Sequence, residues 1–161
     1  MKKFKDFTIQ DFLNVLAEKQ PVPGGGAATA LSASLGVSLL SMVLNYSIGK
    51  SKPAIIERKL KNLLKSCEKI RRELLMLVDL DARMYLEVVR TRKLSKRMAS
   101  VAQNNSRQVM LKVAKLCYES IGLTPFIVEH GNANLLSDSV VAIELLQSAF
   151  NASLALAEVS E

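Results

Sequence analysis

Residues 54 to 94 contain neither glycine nor proline, and that run constrains the fold more than any other feature of the sequence. Pro53 stands where proline fits well, at the first turn of a helix. The stretch behind it predicts one helix of roughly 40 residues, ~60 Å long. Such a helix is not held by its own backbone and calls for a long antiparallel neighbour or a second subunit along it. The whole chain has only four prolines and seven glycines, three of them consecutive, so the other elements should also be few and long. Aromatic residues are scarce and tryptophan is absent, which leaves Leu, Val, Ile, Ala and Met to fill the core. Residues 1–161 therefore read as one all-α domain, a single bundle of long helices.

The remaining punctuation places the other helices. Thr8 with Asp11 resembles a capping box and opens a helix to about Lys19, with Ile9, Phe12, Leu13 and Leu16 on one face. Pro21 and Pro23 stop it, and Gly24-Gly25-Gly26 leads directly into a second helix. That helix is rich in small residues (Ala27, Ala28, Ala30, Ser32, Ala33, Ser34, Gly36), so neighbouring backbones can approach it closely and it belongs at the centre. The uncharged stretch from Ala27 to Ser47 is long enough to cross a bilayer. It is interrupted by Ser32, Ser34, Ser38, Ser41 and Asn45 and lacks aromatic anchors apart from Tyr46, which favours a buried bundle helix. It should end near Gly49, with Lys50 and Lys52 beside its negative terminus. A fourth helix is expected over Met98 to Ser120, broken by Gly122 and Pro125, and a last one from about Ser137, with that serine as N-cap.

The formal charge of +7, from 22 Lys and Arg against 15 Asp and Glu, favours anionic partners in general. The basic residues are dispersed along helices with no aromatic interleaving, which argues against nucleic acid. The N-terminus has lysines but no apolar run behind them, so a signal peptide is not expected. Cys67 and Cys117 lack metal-ligand spacing and read as reduced core thiols of a cytoplasmic protein. His130 is the only histidine and has no ligand pattern around it, so no metal site is expected.

The long helix carries the most informative residue. Its apolar stripe runs through Leu60, Leu63, Leu64, Cys67, Ile70, Leu74, Leu77, Val78, Met84, Tyr85 and Val88, and Asp81 falls on it. Asp79 points away and is expected to pair with Arg83. A carboxylate on a buried stripe costs free energy unless it is hydrogen-bonded or functional. Asp81 is thus either a structural cap or bridge to another helix, or a carboxyl whose pKa burial raises into the range of proton transfer. Two further segments are candidates. Gly24–Gly26 at a helix start offers free N–H groups to an anion, or simply a tight turn. The polar junction from His130 to Asp138 offers amides to a heterocycle, or simply a loop. Asn151, amid Leu, Ala and Phe, is a second buried-polar candidate.

These segments together resemble the cyclodeaminase/cyclohydrolase family of tetrahydrofolate one-carbon enzymes. The residues that carry the resemblance are Pro23-Gly24-Gly25-Gly26-Ala27, Leu77-Val78-Asp79-Leu80-Asp81-Ala82, Gly131-Asn132-Ala133-Asn134 with Ser137-Asp138, and Asn151. The resemblance implies an all-helical obligate dimer, with folate bound in a cleft between subunits and Asp81 as the catalytic aspartate. It implies substrate contacts from Gly24, Gly25, Gly26, Tyr85, Lys96, Gly131, Asn132, Asn134, Ser137, Asp138 and Asn151, with no cofactor beyond the tetrahydrofolate substrate and no nucleic-acid or membrane partner.

Two residues depart from the family pattern: Ser95 replaces the proline of a Leu-Pro-Lys triplet, and Ala155 replaces a second asparagine. The family's last long helix is also expected to be missing. The expected reaction is hydrolysis of 5,10-methenyltetrahydrofolate to 10-formyltetrahydrofolate, or cyclodeamination of 5-formiminotetrahydrofolate. With no formiminotransferase half in the sequence, the first is favoured. The alternative is an inactive helical dimer that binds folate or acts as a scaffold.

Overall fold

The computed structural model describes residues 3–159. Among the described residues, five helices make up the bundle: α1 (Ile9–Ala17), α2 (Gly25–Ser47), α3 (Ala54–Thr91), α4 (Lys96–His130) and α5 (Leu136–Val159). The expected long helix is α3, at 38 residues. Its long antiparallel neighbour is α4, and α2 lies packed among α3, α4 and α5. Ala27, Ala30, Ala33, Val37 and Leu40 of α2 have no exposed surface at all. A charge-free helix of bilayer-spanning length is here the axis of the bundle.

Small residues set the distances. A Cβ on Gly36 would lie 2.9 Å from Leu146 Cγ and 3.0 Å from the Ala142 carbonyl oxygen, so α2 and α5 meet there with no room for a methyl group. Ser34 adds a bond in the other direction, donating to the Arg71 carbonyl of α3 at 3.3 Å.

The ends of the first two helices follow the sequence reading. Thr8 Oγ1 accepts the Asp11 N–H at 3.0 Å and caps α1, which stops two residues short of Lys19. After α2, Gly49 has a φ of +78°, and its N–H is held by the Glu57 carboxylate. The two cysteines are free and buried, and burial pushes both thiols up to about 12.

Three expectations need correction. Gly122 and Pro125 do not end the fourth helix, which continues to His130. Proline at 125 deprives the Ile121 carbonyl of its helical donor, and the Thr124 hydroxyl supplies one instead at 2.7 Å. Ser137 is not an N-cap: it is exposed inside the first turn of α5. The cap is Asn132, whose side chain accepts the Asn134 N–H at 3.1 Å and opens a 3-10 turn (Ala133–Leu135) running into α5. Asp79 does not project into solvent towards Arg83. It is half-buried, and its Oδ1 accepts the backbone N–H of Phe4 at 2.7 Å, which fastens the N-terminal turn Phe4–Asp6 to α3.

The α2–α5 contact gives a direct test. Gly36→Ala should destabilise the fold by about 1–3 kcal/mol through overpacking, read as a lowered midpoint in urea. A variant as stable as the parent would mean that the two helices separate freely at this point.

Candidate active site

Asp81 is buried because the phase of α3 puts it there. Cys67, Ile70, Leu74, Leu77, Val78 and Ala82 are buried on the same face. Only 9% of Asp81 remains exposed. Its carboxyl meets the N-terminus of α2, where the first N–H groups have no partner inside the helix. The Ala27 N–H bonds to Asp81. Asp81 therefore caps a second helix, as the structural reading allows, and at the same time lines a cavity of about 360 Å³.

This geometry explains the third glycine of the triplet. A Cβ at position 26 would sit 2.5 Å from Asp81 Cγ and 2.6 Å from Oδ2, inside the carboxyl group. Position 25 meets only Leu156 Cδ2 at 4.0 Å, and position 24 meets nothing within 4 Å. Gly26 is the seat of the carboxylate, while Gly24 and Gly25 form part of the cavity wall.

Electrostatics divide in a useful way. Desolvation by burial raises the Asp81 carboxyl from the ordinary aspartate range to about 6, and the Ala27 N–H pulls it partly back down. A group with that pKa exchanges protons readily near neutrality in either direction.

The walls come from four parts of the chain. Val22 and Gly24–Gly26 precede or open α2. Tyr85, Val88 and Arg92 continue up α3 from Asp81. Gln103, Ser106 and Met110 face them from α4, and Leu156 closes the side from α5.

Of the residues expected in the site, Gly24, Gly25, Gly26 and Tyr85 share this cavity with Asp81. Gly131, Asn132 and Asn134 line a different recess with Ser47, Lys50 and Lys52. There the Asn132 N–H is held by Ser47 Oγ at 2.8 Å. That recess lies at the C-terminal end of α2, about 33 Å from its N-terminal end, so the fold of the chain does not bring the two groups together. Ser137 and Asp138 are in the first turn of α5, exposed and half-buried respectively, and line neither recess. Asn151, expected to be buried, is exposed on α5. Lys96 is exposed at the start of α4, outside the cavity.

The departure at Ser95 has a local cause: its hydroxyl accepts the Met98 N–H at 3.2 Å and caps α4. The departure at Ala155 falls on an exposed position of α5. Sequence reasoning missed Arg92, Gln103, Ser106, Met110 and Leu156. The available signal was spacing: Gln103, Ser106 and Met110 are at i, i+3 and i+7, one face of a helix.

A helical bundle that seats one buried carboxylate on a helix N-terminus, in the wall of a cavity, offers a group able to exchange a proton with a molecule held there. The chain belongs to the formiminotransferase-cyclodeaminase family, whose model matches residues 8–159. It is 36% identical over 146 residues to a methenyltetrahydrofolate cyclohydrolase of Methylorubrum extorquens, covering 84% of this chain and 70% of that one. It is 29% identical over 153 residues to the formimidoyltransferase-cyclodeaminase of Mus musculus, covering 89% of this chain but only 28% of that one. The crystal structure of a formiminotetrahydrofolate cyclodeaminase from Thermotoga maritima superposes with a TM-score of 0.94 at 23% identity, over 98% of this chain and 80% of that one. That likeness establishes the all-helical fold.

The seat of the carboxylate can be tested without any assay of turnover. Gly26→Ala should displace Asp81 from the Ala27 N–H and lower stability by about 1–3 kcal/mol, whereas Gly24→Ala should cost well under that. Thermal melts of the two variants check the difference, and equal losses would mean that the glycines act only through backbone freedom.

Proposed function

We propose that the chain is a folate one-carbon enzyme, a methenyltetrahydrofolate cyclohydrolase, with Asp81 as its catalytic residue. The observation that carries this reading is a carboxyl raised to about 6 by burial, in the wall of a cavity also lined by a flat aromatic residue and polar side chains. The likeness to the Methylorubrum cyclohydrolase supports the choice of reaction.

The substrate's bridging carbon is an amidinium carbon between N5 and N10, and it carries positive charge. Asp81 as carboxylate pairs with that charge and accepts a proton from the attacking water as the C–O bond forms. The resulting carbinolamine breaks its bond to N5, and Asp81 returns the proton to that nitrogen. The hydroxyl proton leaves to solvent as the formyl C=O forms on N10. The carbon keeps its oxidation level, so the step requires no electron carrier. Asp81→Asn keeps the shape and the acceptor for Ala27 N–H but removes the proton transfer, and turnover should fall by at least ~10²-fold while folate still binds.

The second reading is cyclodeamination of 5-formiminotetrahydrofolate, favoured by the likeness to the mouse protein. There N10 attacks the formimino carbon, its proton passes to the formimino nitrogen, and Asp81, as the neutral acid, adds the proton with which that nitrogen departs as ammonia. The two reactions need opposite forms of one group. A carboxylate base makes kcat/KM rise with pH through about 6 and level off above it, whereas an acid makes it fall over the same interval. Loss of methenyltetrahydrofolate absorbance, measured beside ammonia release across this range, separates them. Ammonia release with a stable methenyl compound would reverse the choice, and silence in both assays with folate bound would favour an inactive binding protein.

The enzyme is proposed to work as a homodimer. Leu35, Leu39, Met42 and Tyr46 make a stripe along α2, exposed at both ends and half-buried between. Leu136, Val140 and Val141 are each about half exposed on the adjoining α5. Unpartnered apolar surface of this extent on two packed helices suits a second subunit. Light scattering should give twice the chain mass at micromolar concentration, and a compact monomer would remove the two-subunit cleft.

A further inference from the structure

Among the described residues, Arg92 is the one cationic side chain lining the Asp81 cavity. It differs from the other arginines of α3 that are locked to carboxylates. Arg71 and Arg90 are held by Glu68 and Glu87, each one turn earlier, whereas Arg92 has no carboxylate partner among the described residues. A guanidinium left without an internal counter-ion at the mouth of a cavity is available to an external anion.

Its position relative to Asp81 is set by the helix. Asp81, Tyr85, Val88 and Arg92 follow at intervals of four, three and four residues and make one wall, with Arg92 capping the C-terminus of α3. Eleven residues amount to ~16 Å along the axis, and helical side chains lean towards the N-terminus, so the guanidinium reaches back along the cavity. Between the two charged ends lies the half-exposed ring of Tyr85 on α3, and the antiparallel α4, whose Lys112 pairs with Glu73, sets the polar Gln103 and Ser106 across from the Asp81 end. The wall thus reads, in order, carboxyl group with amide and hydroxyl facing it, flat ring, and cation.

We propose that Arg92 is a specificity-determining residue that binds a carboxylate of the substrate's glutamyl tail. The inference rests on the reading of the cavity as a tetrahydrofolate site and fixes the direction in which the substrate lies. The one-carbon bridge sits at Asp81 across from Gln103 and Ser106, the p-aminobenzoyl ring passes Tyr85, and the tail emerges at Arg92. The tail is the anionic part of the substrate, so it belongs at the cation. The planar guanidinium engages a carboxylate through two parallel N–H donors, which a lysine does not reproduce.

The test compares two substrates in the purified full chain: 5,10-methenyltetrahydrofolate and 5,10-methenyltetrahydropteroate, which lacks the glutamate. The parent should prefer the glutamyl compound by about 10- to 100-fold in kcat/KM, expressed mainly in KM. Arg92→Gln should bring that ratio close to unity, and Arg92→Lys should give an intermediate value. Each ratio is internal to one preparation, so partial misfolding scales both rates alike and leaves it unmoved. A ratio that stays at the parent's value in both variants, or a parent that does not discriminate, would overturn the proposal. Failure of the parent chain to bind or turn over either compound would overturn the folate reading itself, and it would show before any variant is made.

Discussion

The bundle depends on one constraint: α2 has to be thin. Three long helices close around a rod whose inward positions are Ala27, Ala30, Ala33, Gly36 and Val37, and at Gly36 even a methyl group would collide with α5. Close approach matters because dispersion forces fall away within fractions of an ångström, so a core poor in aromatics must gain its cohesion from many tight aliphatic contacts. The same closeness carries polar ties across the bundle, such as Ser34 to the Arg71 carbonyl and the Asn132 N–H to Ser47. A thicker α2 would push α3 outwards and leave Asp81 without the helix end it caps.

The site is therefore a by-product of how the bundle begins. The N-terminus of α2 must satisfy its free N–H groups, and a carboxylate from α3 does so at Ala27. Glycine at 26 admits the carboxyl group, and the neighbouring glycines leave open space beside it. The structural role and the proposed chemical role are not competing accounts of Asp81. The cap holds the carboxyl in one orientation, and the burial that makes capping necessary also supplies the raised pKa.

Much of this was legible in the residues. The breaker-free run gave α3, the small-residue run gave the central helix, and the phase of the apolar stripe distinguished Asp81 from Asp79. What escaped notice was tertiary. Pro125 reads as a stop until a neighbouring Thr124 hydroxyl is seen to relieve the Ile121 carbonyl. Asp79 lies off the stripe, yet the N-terminal turn folds over it, a contact across 75 residues that no local pattern encodes. Gln103 and Ser106 belong to no motif and enter the site only because α4 lies antiparallel to α3. The residues from Gly131 to Asp138 were placed with Asp81 by resemblance, and the length of α2 keeps them apart in the folded chain.

The buried carboxyl also makes the molecule's resilience depend on acidity. Because the folded state raises the pKa of Asp81 from 3.8 to about 6, the native chain holds that proton more tightly than the unfolded chain does. Stability from this group is complete below the ordinary aspartate range, declines as pH rises towards 6 and is absent above it. The loss is on the order of 2–3 kcal/mol, a sizeable share of the margin by which a domain of this size stays folded. In the ionised form that would act as a base, Asp81 weakens the bundle it helps to cap. A neutral residue of the same shape at this position would be free of that loss above pH 6.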